Sequence, residues 1–299
     1  MIEAAAVSGV RSEGLDYGRV RLWGSGSFIL ASFGAGLVIG QVGAVSVMPM
    51  LVIATSLMII GVYVLPHDIT SRASPSPPVL RRISLAGTAK LAHSPSFLLF
   101  LLAASMIQAS HALYYAFGTL HWRAQGFADG TIGALWALGV IAEIALFAVS
   151  GPILAKWGAG RVLFAAGAAA SVRWGLMAFD PPLWATALLQ CLHAMSFGAA
   201  HLAAIYFLSQ AVPEDRGATA QGLYAAVVAG LVLGFATIAC GPLYRALGGE
   251  AYAVMALLAL VGTACAVFLM RRWRGERVVG PIQVQPQSAV GAGMTVPEL

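Results

Sequence analysis

The sequence consists largely of apolar runs, each long enough to form a helix that crosses a lipid bilayer. Such a helix needs about 20 mostly apolar residues. The chain of 299 residues is 59% hydrophobic and only 10% charged, whereas soluble domains carry about 25% charged residues. Because so few charges cannot cover a water-soluble protein, we predict an all-α, polytopic membrane helix bundle. Its eight transmembrane helices are expected at 20–41, 43–65, 97–120, 131–153, 162–179, 183–208, 218–241 and 250–270.

The segments between and after these runs divide the chain into four parts. Positions 66–94 form the longest connection, which contains Pro75, Pro77 and Pro78 among basic residues and is typical of a water-exposed linker. The polar segment after the last run is typical of disorder. We therefore predict a two-helix segment at 1–65, a cytoplasmic linker at 66–94, a six-helix unit at 95–272 and a disordered cytoplasmic tail at 273–299.

Lysine and arginine are distributed unequally between the two sides of the predicted bundle. Cytoplasmic loops of membrane proteins carry an excess of these residues. If the N-terminus is cytoplasmic, Arg123 and Arg245 lie on the opposite side and Arg173 lies within the membrane. The other 14 of the 17 lysine and arginine residues then lie on the cytoplasmic side. We therefore expect a multi-pass protein of the cell inner (plasma) membrane with both termini in the cytoplasm.

Several function classes lack their sequence signatures. The net charge is +5, but no basic stripe interleaved with aromatic residues indicates nucleic-acid binding. Cys191, Cys240 and Cys265 lie singly in apolar runs and predict neither a disulfide framework nor a metal site. Motifs of nucleotide-binding proteins, serine hydrolases and zinc proteases are missing. The sequence therefore predicts no enzyme, no cofactor and no metal site. The expected partners are the lipid bilayer, protons and a small-molecule substrate.

Two opposite charges lie inside neighbouring apolar runs. Glu143 is 12 residues from the start of the fourth run, which at about 1.5 Å per residue places it near the bilayer midplane. Arg173 lies in the fifth run. Charges at this depth are costly and are usually functional. Glu143 is predicted to bind and release a proton, or alternatively to form a salt bridge that only stabilises the bundle. The guanidinium of Arg173 needs a partner, which is either Glu143 or an anionic substrate.

Polar residues recur at helical spacing in the third and sixth runs. In a membrane-spanning helix such residues favour a polar path, although each one can also be a hydrogen-bonded packing residue. We assign proton coupling to Glu143 and His111. We assign substrate binding to Arg173 and to five polar residues: Gln108 and Tyr115 beside His111, and Gln190, His193 and His201 in the sixth run.

Six segments of the sequence carry a family resemblance: 15–28 (LDYGRVRLWGSGSF), 108–117 (QASHALYYAF), 135–143 (LWALGVIAE), 172–175 (VRWG), 192–204 (LHAMSFGAAHLAA) and 241–244 (GPLY). Together they resemble the phenylpropionate permease family of the major facilitator superfamily, and the resemblance covers residues 12–270. In addition, Gly151, Lys156, Gly158 and Arg161 are similar to a degenerate copy of the superfamily's cytoplasmic gating loop. Lys156 stands where that loop usually carries an acidic residue.

The resemblance implies a twelve-helix secondary transporter, with two six-helix halves around a central cavity, that is driven by protons. The eight runs look like helices five to twelve, so that 1–65 is expected to be a remnant of the N-terminal half. A start codon chosen too late is the favoured explanation. A broken gene, or a second chain that carries the missing helices, is the alternative.

The implied function is that of a permease for a small organic solute, working by proton symport. An aromatic carboxylate such as a phenylpropionate is the leading substrate class. Transport of nucleosides or sugars, or a truncated remnant without transport activity, are the alternatives. A membrane-embedded enzyme is disfavoured, because it would need a pair of catalytic residues clustered at one interface.

Overall fold

The fold is described by a computed structural model that covers residues 41–64 and 91–280, with scattered positions between 24 and 38 and at 89. Every regular element among these residues is helical, which confirms the predicted all-α class. The helices are α1 (Val47–Val64), α2 (Pro95–Ala109), α3 (Ala112–Ala124), α4 (Asp129–Met177), α5 (Leu183–Cys191), α6 (Ala200–Ala211), α7 (Glu214–Tyr224), α8 (Leu233–Leu247) and α9 (Ala251–Arg272).

Four continuous helical stretches in the described part of the chain are long and apolar enough to cross a membrane. A shorter apolar helix, Val47–Gly61, falls in the second predicted run. The six runs predicted between 97 and 270 all lie in helices, and the chain is a multi-pass membrane protein. The first run, at 20–41, lies largely outside the described residues. The four stretches are Pro95–Ala124, Asp129–Met177, Leu183–Ala211 and Arg216–Arg272.

Helix α4 contains two predicted crossings in one continuous helical stretch. Its 49 residues would span roughly 74 Å at 1.5 Å per residue, more than twice the thickness of a bilayer core. The stretch is interrupted at Gly158, whose φ of 72° and ψ of 165° are not helical. This conformation is essentially restricted to glycine. Gly158 therefore separates the crossing that carries Glu143 from the crossing that carries Arg173.

The interior contains two clusters of buried apolar side chains, one toward each end of the helices. The first core cluster includes Phe100, Phe207 and Leu269, and the Phe100 and Phe207 rings stack with centroids 4.1 Å apart. The second core cluster includes Trp122 and Tyr252. The α2–α3 segment leaves the first cluster after Ile107 and enters the second at Ala112. The polar residues described below begin in this interval.

Close packing between α2 and α9 depends on Gly262. A Cβ atom added there would lie 2.7 Å from Cγ1 of Ile107 and 3.0 Å from the carbonyl oxygen of Ala103. By contrast, a Cβ at Gly234 would meet no atom within 4 Å. Small residues let membrane helices approach closely, and in this bundle Gly262 has that role.

The segment after α9 folds back against the end of α6. The backbone N–H of Val278 donates to the carbonyl oxygen of Ala211 over 2.8 Å, and Val278 and Val279 pack against the first core cluster. Of the predicted tail, 273–280 is thus described, and 281–299 lies outside the described residues. Most of the predicted linker at 66–94 also lies outside them, so the four-part division of the chain stays a prediction.

Candidate functional site

Two interruptions of regular α-helix bring polar side chains into the bundle. Helix α2 ends at Ala109 and α3 begins at Ala112, with Ser110 and His111 in the turn between them. Between α5 and α6 the backbone forms a π-helical turn at Ala194–Ala199. Such turns occur mostly as short insertions in α-helices, and frequently at functional sites. His111 comes from the first interruption, while His193 immediately precedes the second and Ser196 lies within it.

Arg173 is the centre of the buried polar cluster and is 0% exposed. Its Nη2 donates to Oε1 of Gln190 over 2.7 Å. Its Nη1 lies 3.0 Å from Nδ1 of His193 and 3.2 Å from Oγ of Ser196. The hydroxyl of Tyr114 donates to the same Gln190 oxygen over 3.1 Å. These partners are neutral acceptors, so the positive charge of Arg173 is held by dipoles.

Aromatic rings complete the surroundings of the guanidinium. Its central carbon lies 4.7 Å from the ring centroid of Tyr114 and 4.4 Å from that of Trp174. A cation within about 6 Å of an aromatic ring face is attracted by the ring. The indole N–H of Trp174 donates to Oγ of Ser110 over 2.9 Å. The planar guanidinium is therefore fixed in orientation as well as in position.

His193 lies between Arg173 and Glu143. Because an arginine can only donate, Nδ1 of His193 must accept the hydrogen bond from Arg173. The ring proton of a neutral His193 is then on Nε2, which lies 3.8 Å from Oε2 of Glu143. The hydrogen-bonding pattern therefore directs this N–H toward the carboxylate.

A second branch runs from Arg173 to His111. Nδ1 of His111 lies 3.0 Å from the carbonyl oxygen of Ile107, which can only accept, so this nitrogen carries the proton. In a neutral His111, Nε2 then accepts from the hydroxyl of Ser196 over 3.2 Å. Ser196 in turn accepts from Arg173. His193 is thus neutral and holds a single tautomer while Arg173 keeps its contacts, and a neutral His111 carries its proton on Nδ1.

Glu143 is buried, with 6% of its surface exposed. Its close approach to the α5–α6 segment depends on Gly198, where an added Cβ would lie 3.1 Å from Cγ of Glu143. One helical turn earlier, Gly139 faces Cβ of His193 and the backbone of Gln190. Two glycines therefore allow the crossing that carries Glu143 to pack against the segment that carries His193.

Three further predicted site residues lie around this cluster. The ring of Tyr115 has its centroid 5.8 Å from that of His111, but the residue is 42% exposed. Gln108 is buried two residues before the interruption at Ser110. His201 is partly buried and stacks on Phe197, which itself stacks on His193. His193, Phe197 and His201 thus form a row of parallel rings.

The residues of the predicted gating loop are separate from the cluster. Gly151, Lys156 and Arg161 are exposed, and Gly158 is the break within α4.

Sequence reasoning missed the role of Ser196 and did not separate Tyr114 from the other aromatic residues. The spacing of Ser196, three residues after His193 and therefore on the same helix face, is the signal that could have revealed it.

The architecture and the cluster together define a class of protein: a multi-pass membrane bundle with ionisable residues buried inside it. The chain matches the profile of the "MFS_1 like family" over residues 1–254 and belongs to that family, within the major facilitator superfamily.

Three relatives make the comparison more specific. The chain is 32% identical over 246 residues to the "Probable 3-phenylpropionic acid transporter" of Escherichia coli (strain K12), covering 82% of this chain and 63% of that protein. It is 27% identical over 279 residues to the "Maltose permease" of Geobacillus stearothermophilus, covering 93% and 68%. It is 25% identical over 265 residues to the "Uncharacterized transporter YwbF" of Bacillus subtilis (strain 168), covering 88% and 65%. The chain therefore spans less than two thirds of the length of the E. coli relative.

Proposed function

We propose that the whole protein is a proton-coupled secondary transporter of a small organic anion. Membership of the major facilitator superfamily, and the names of the three relatives, support transport and not enzymatic catalysis. The observation that carries the proposal is the arrangement of Arg173, His193 and Glu143 inside an apolar bundle. It combines a permanent cation, a neutral relay and a carboxylate that can be protonated.

The charges of this arrangement support coupling between a proton and an anion. With Glu143 ionised, the charges of Arg173 and Glu143 cancel. When Glu143 takes up a proton, one uncompensated positive charge remains on Arg173. A charge in a low-dielectric interior is costly unless it is paired. An anion entering the site restores neutrality, so the proton and the anion favour each other's binding.

An aromatic carboxylate is the substrate class that the surroundings favour. Planar guanidinium groups match carboxylates with two parallel hydrogen bonds, and Nε of Arg173 makes no hydrogen bond within the described residues. Tyr115 and Trp136 lie beside the cluster with stacked rings 6.5 Å apart, and both are at least partly accessible. The name of the E. coli relative points to the same chemistry.

A carbohydrate is the second candidate, on one observation: the similarity to a maltose permease covers 93% of this chain. Uncharged sugars bind through hydrogen bonds to polar side chains and through stacking on aromatic rings, both of which the cluster also offers. Uptake of labelled 3-phenylpropionate and of labelled maltose, each measured with the other compound as competitor, would separate the two substrate classes.

The test of coupling is Glu143→Gln in the whole protein, reconstituted in proteoliposomes. We expect this variant to lose accumulation of labelled 3-phenylpropionate driven by a pH gradient, because the amide cannot exchange a proton. Exchange of labelled for unlabelled substrate should continue. Glu250→Gln is the matched control, since Glu250 is an exposed carboxylate at the end of the bundle. Unchanged pH dependence of uptake in Glu143→Gln would reject the role of Glu143.

A further inference from the structure

A cavity of about 690 Å³ lies far from the Arg173 cluster, at the opposite end of the first core cluster. Three parts of the fold form its wall: the break in α4 around Gly158, the last turns of α6 and the end of α9. Its volume is in the range of ligand-binding sites, roughly 300–1,000 Å³. The proposed transport mechanism makes no use of it.

The cavity wall is strongly positive. Arg161, Arg271 and Arg274 line it, and among its described lining residues there is no Asp or Glu. The second crossing of α4 starts at Ala159, also in the wall, and its N-terminus favours negative charge. Because three other helices present C-terminal ends here, the positive charge of the wall comes from the arginine side chains and not from helix dipoles. A carboxylate does lie nearby, because Glu276 accepts a hydrogen bond from the backbone N–H of Arg274 over 2.9 Å. The arginine side chains nevertheless outnumber it.

The helix ends around the cavity indicate that it lies near a membrane surface. The first crossing of α4 ends before Gly158, α6 ends at Ala211 and α9 ends at Arg272, so three helix ends meet here. Trp157, which is 50% exposed, and Trp273 are part of the wall. Tryptophan is enriched where a membrane protein meets the headgroup region. The ligand that reaches such a position most readily is part of a lipid.

We propose that this cavity binds a phosphate group, supplied by the headgroup of an anionic phospholipid. Arginine is the preferred residue for phosphate recognition, because its planar fork donates two hydrogen bonds to neighbouring phosphate oxygens. Basic pockets between transmembrane helices are a known form of anionic lipid site. A free inorganic phosphate ion has the same chemistry, and the experiment below distinguishes the two sources.

The experiment compares two double variants of the full chain in detergent by native mass spectrometry. Arg161→Gln/Arg271→Gln removes two cavity arginines. Arg272→Gln/Arg277→Gln removes two exposed arginines of the same end that do not line the cavity. Both variants lose the same net charge. We expect the unsubstituted protein to retain phosphatidylglycerol in preference to phosphatidylcholine. The cavity variant should bind phosphatidylglycerol about tenfold more weakly, and the control variant should keep the affinity.

Two further measurements complete the test. If inorganic phosphate binds and displaces the lipid, and the protein shows no preference for phosphatidylglycerol over phosphatidylcholine, the cavity is still a phosphate site. Its ligand is then a soluble phosphate and not a lipid headgroup. If the cavity variant does not fold, Arg161→Lys/Arg271→Lys takes its place. This variant keeps the two positive charges but removes the planar guanidinium groups, and it should still weaken lipid retention. Equal losses of phosphatidylglycerol affinity in the cavity and control variants would overturn the proposal. So would the absence of binding to both phosphatidylglycerol and inorganic phosphate.

Discussion

Arg173 is the residue on which the buried cluster depends, because its guanidinium contacts five polar or aromatic neighbours. Nη1 and Nη2 select Nδ1 of His193 and Oε1 of Gln190 as acceptors. The sequence left two partners open for this charge, namely Glu143 or a substrate anion. In the structure neutral dipoles hold the guanidinium, and His193 stands between it and Glu143. The site can therefore keep its cation in place whether or not Glu143 carries a proton.

Arg173→Lys tests this dependence on shape, because it keeps the charge and removes the fork. A lysine has no planar group to stack on Tyr114 and Trp174, and it cannot reach Gln190 and His193 with two separate nitrogens. We expect a loss of about 2–3 kcal/mol in stability, since charge-assisted hydrogen bonds contribute about 1.5–3 kcal/mol each. The change is measured as a lower midpoint of thermal unfolding in detergent. Arg245→Lys, at an exposed position, serves as the control, and equal midpoints in both variants would contradict the prediction.

The helices themselves were largely predictable, and the places where they are interrupted were not. Continuous apolar runs between 97 and 270 correspond to helices because hydrocarbon leaves no alternative partner for backbone groups. The turn at Ser110 and His111, and the π-helical turn that contains Ser196, have no such sequence rule. They depend on side chains from distant segments, such as the Ser196–His111 contact across 85 positions. This is why Tyr115 was predicted at the site but its buried neighbour Tyr114 was not singled out.

At the contact between α2 and α9, Gly262→Ala is expected to destabilise the bundle. The added methyl group would meet Ile107 and the backbone oxygen of Ala103 at 3.0 Å or less, and backbone cannot move aside easily. Overpacking of this kind costs about 1–3 kcal/mol. Gly234→Ala provides the comparison, because its added methyl group meets open space. Thermal unfolding of the two variants in the same detergent measures the difference. A midpoint for Gly262→Ala at or above that of Gly234→Ala would show that this contact is not close.

Over the whole molecule, the two ends of the bundle differ in their charges. One end has the cavity lined by Arg161, Arg271 and Arg274, and the fold brings Arg161 to the other two from more than 100 positions earlier in the sequence. At the other end, His121 pairs with Asp180 over 2.9 Å, and Arg123 pairs with Asp129 over 2.6 Å. Cytoplasmic loops of membrane proteins carry an excess of lysine and arginine, whereas acidic residues have little influence on orientation. This contrast supports the proposal that the arginine-lined end faces the cytoplasm.

Labelling at one position from each end tests this orientation directly. In a variant with Cys191, Cys240 and Cys265 changed to serine, Glu250→Cys and Arg277→Cys would each place one thiol at an exposed position. We expect a membrane-impermeant maleimide to label the Glu250→Cys protein in intact spheroplasts. The Arg277→Cys protein should be labelled only after the membrane is permeabilised. The reverse pattern would place the arginine-lined end outside the cell.

The cavity would then face the other leaflet, although its phosphate chemistry would be unchanged, because phospholipid phosphates lie at both surfaces of a bilayer. Orientation and lipid binding are therefore tested separately, and each result constrains how the charged ends of this bundle are held in the membrane.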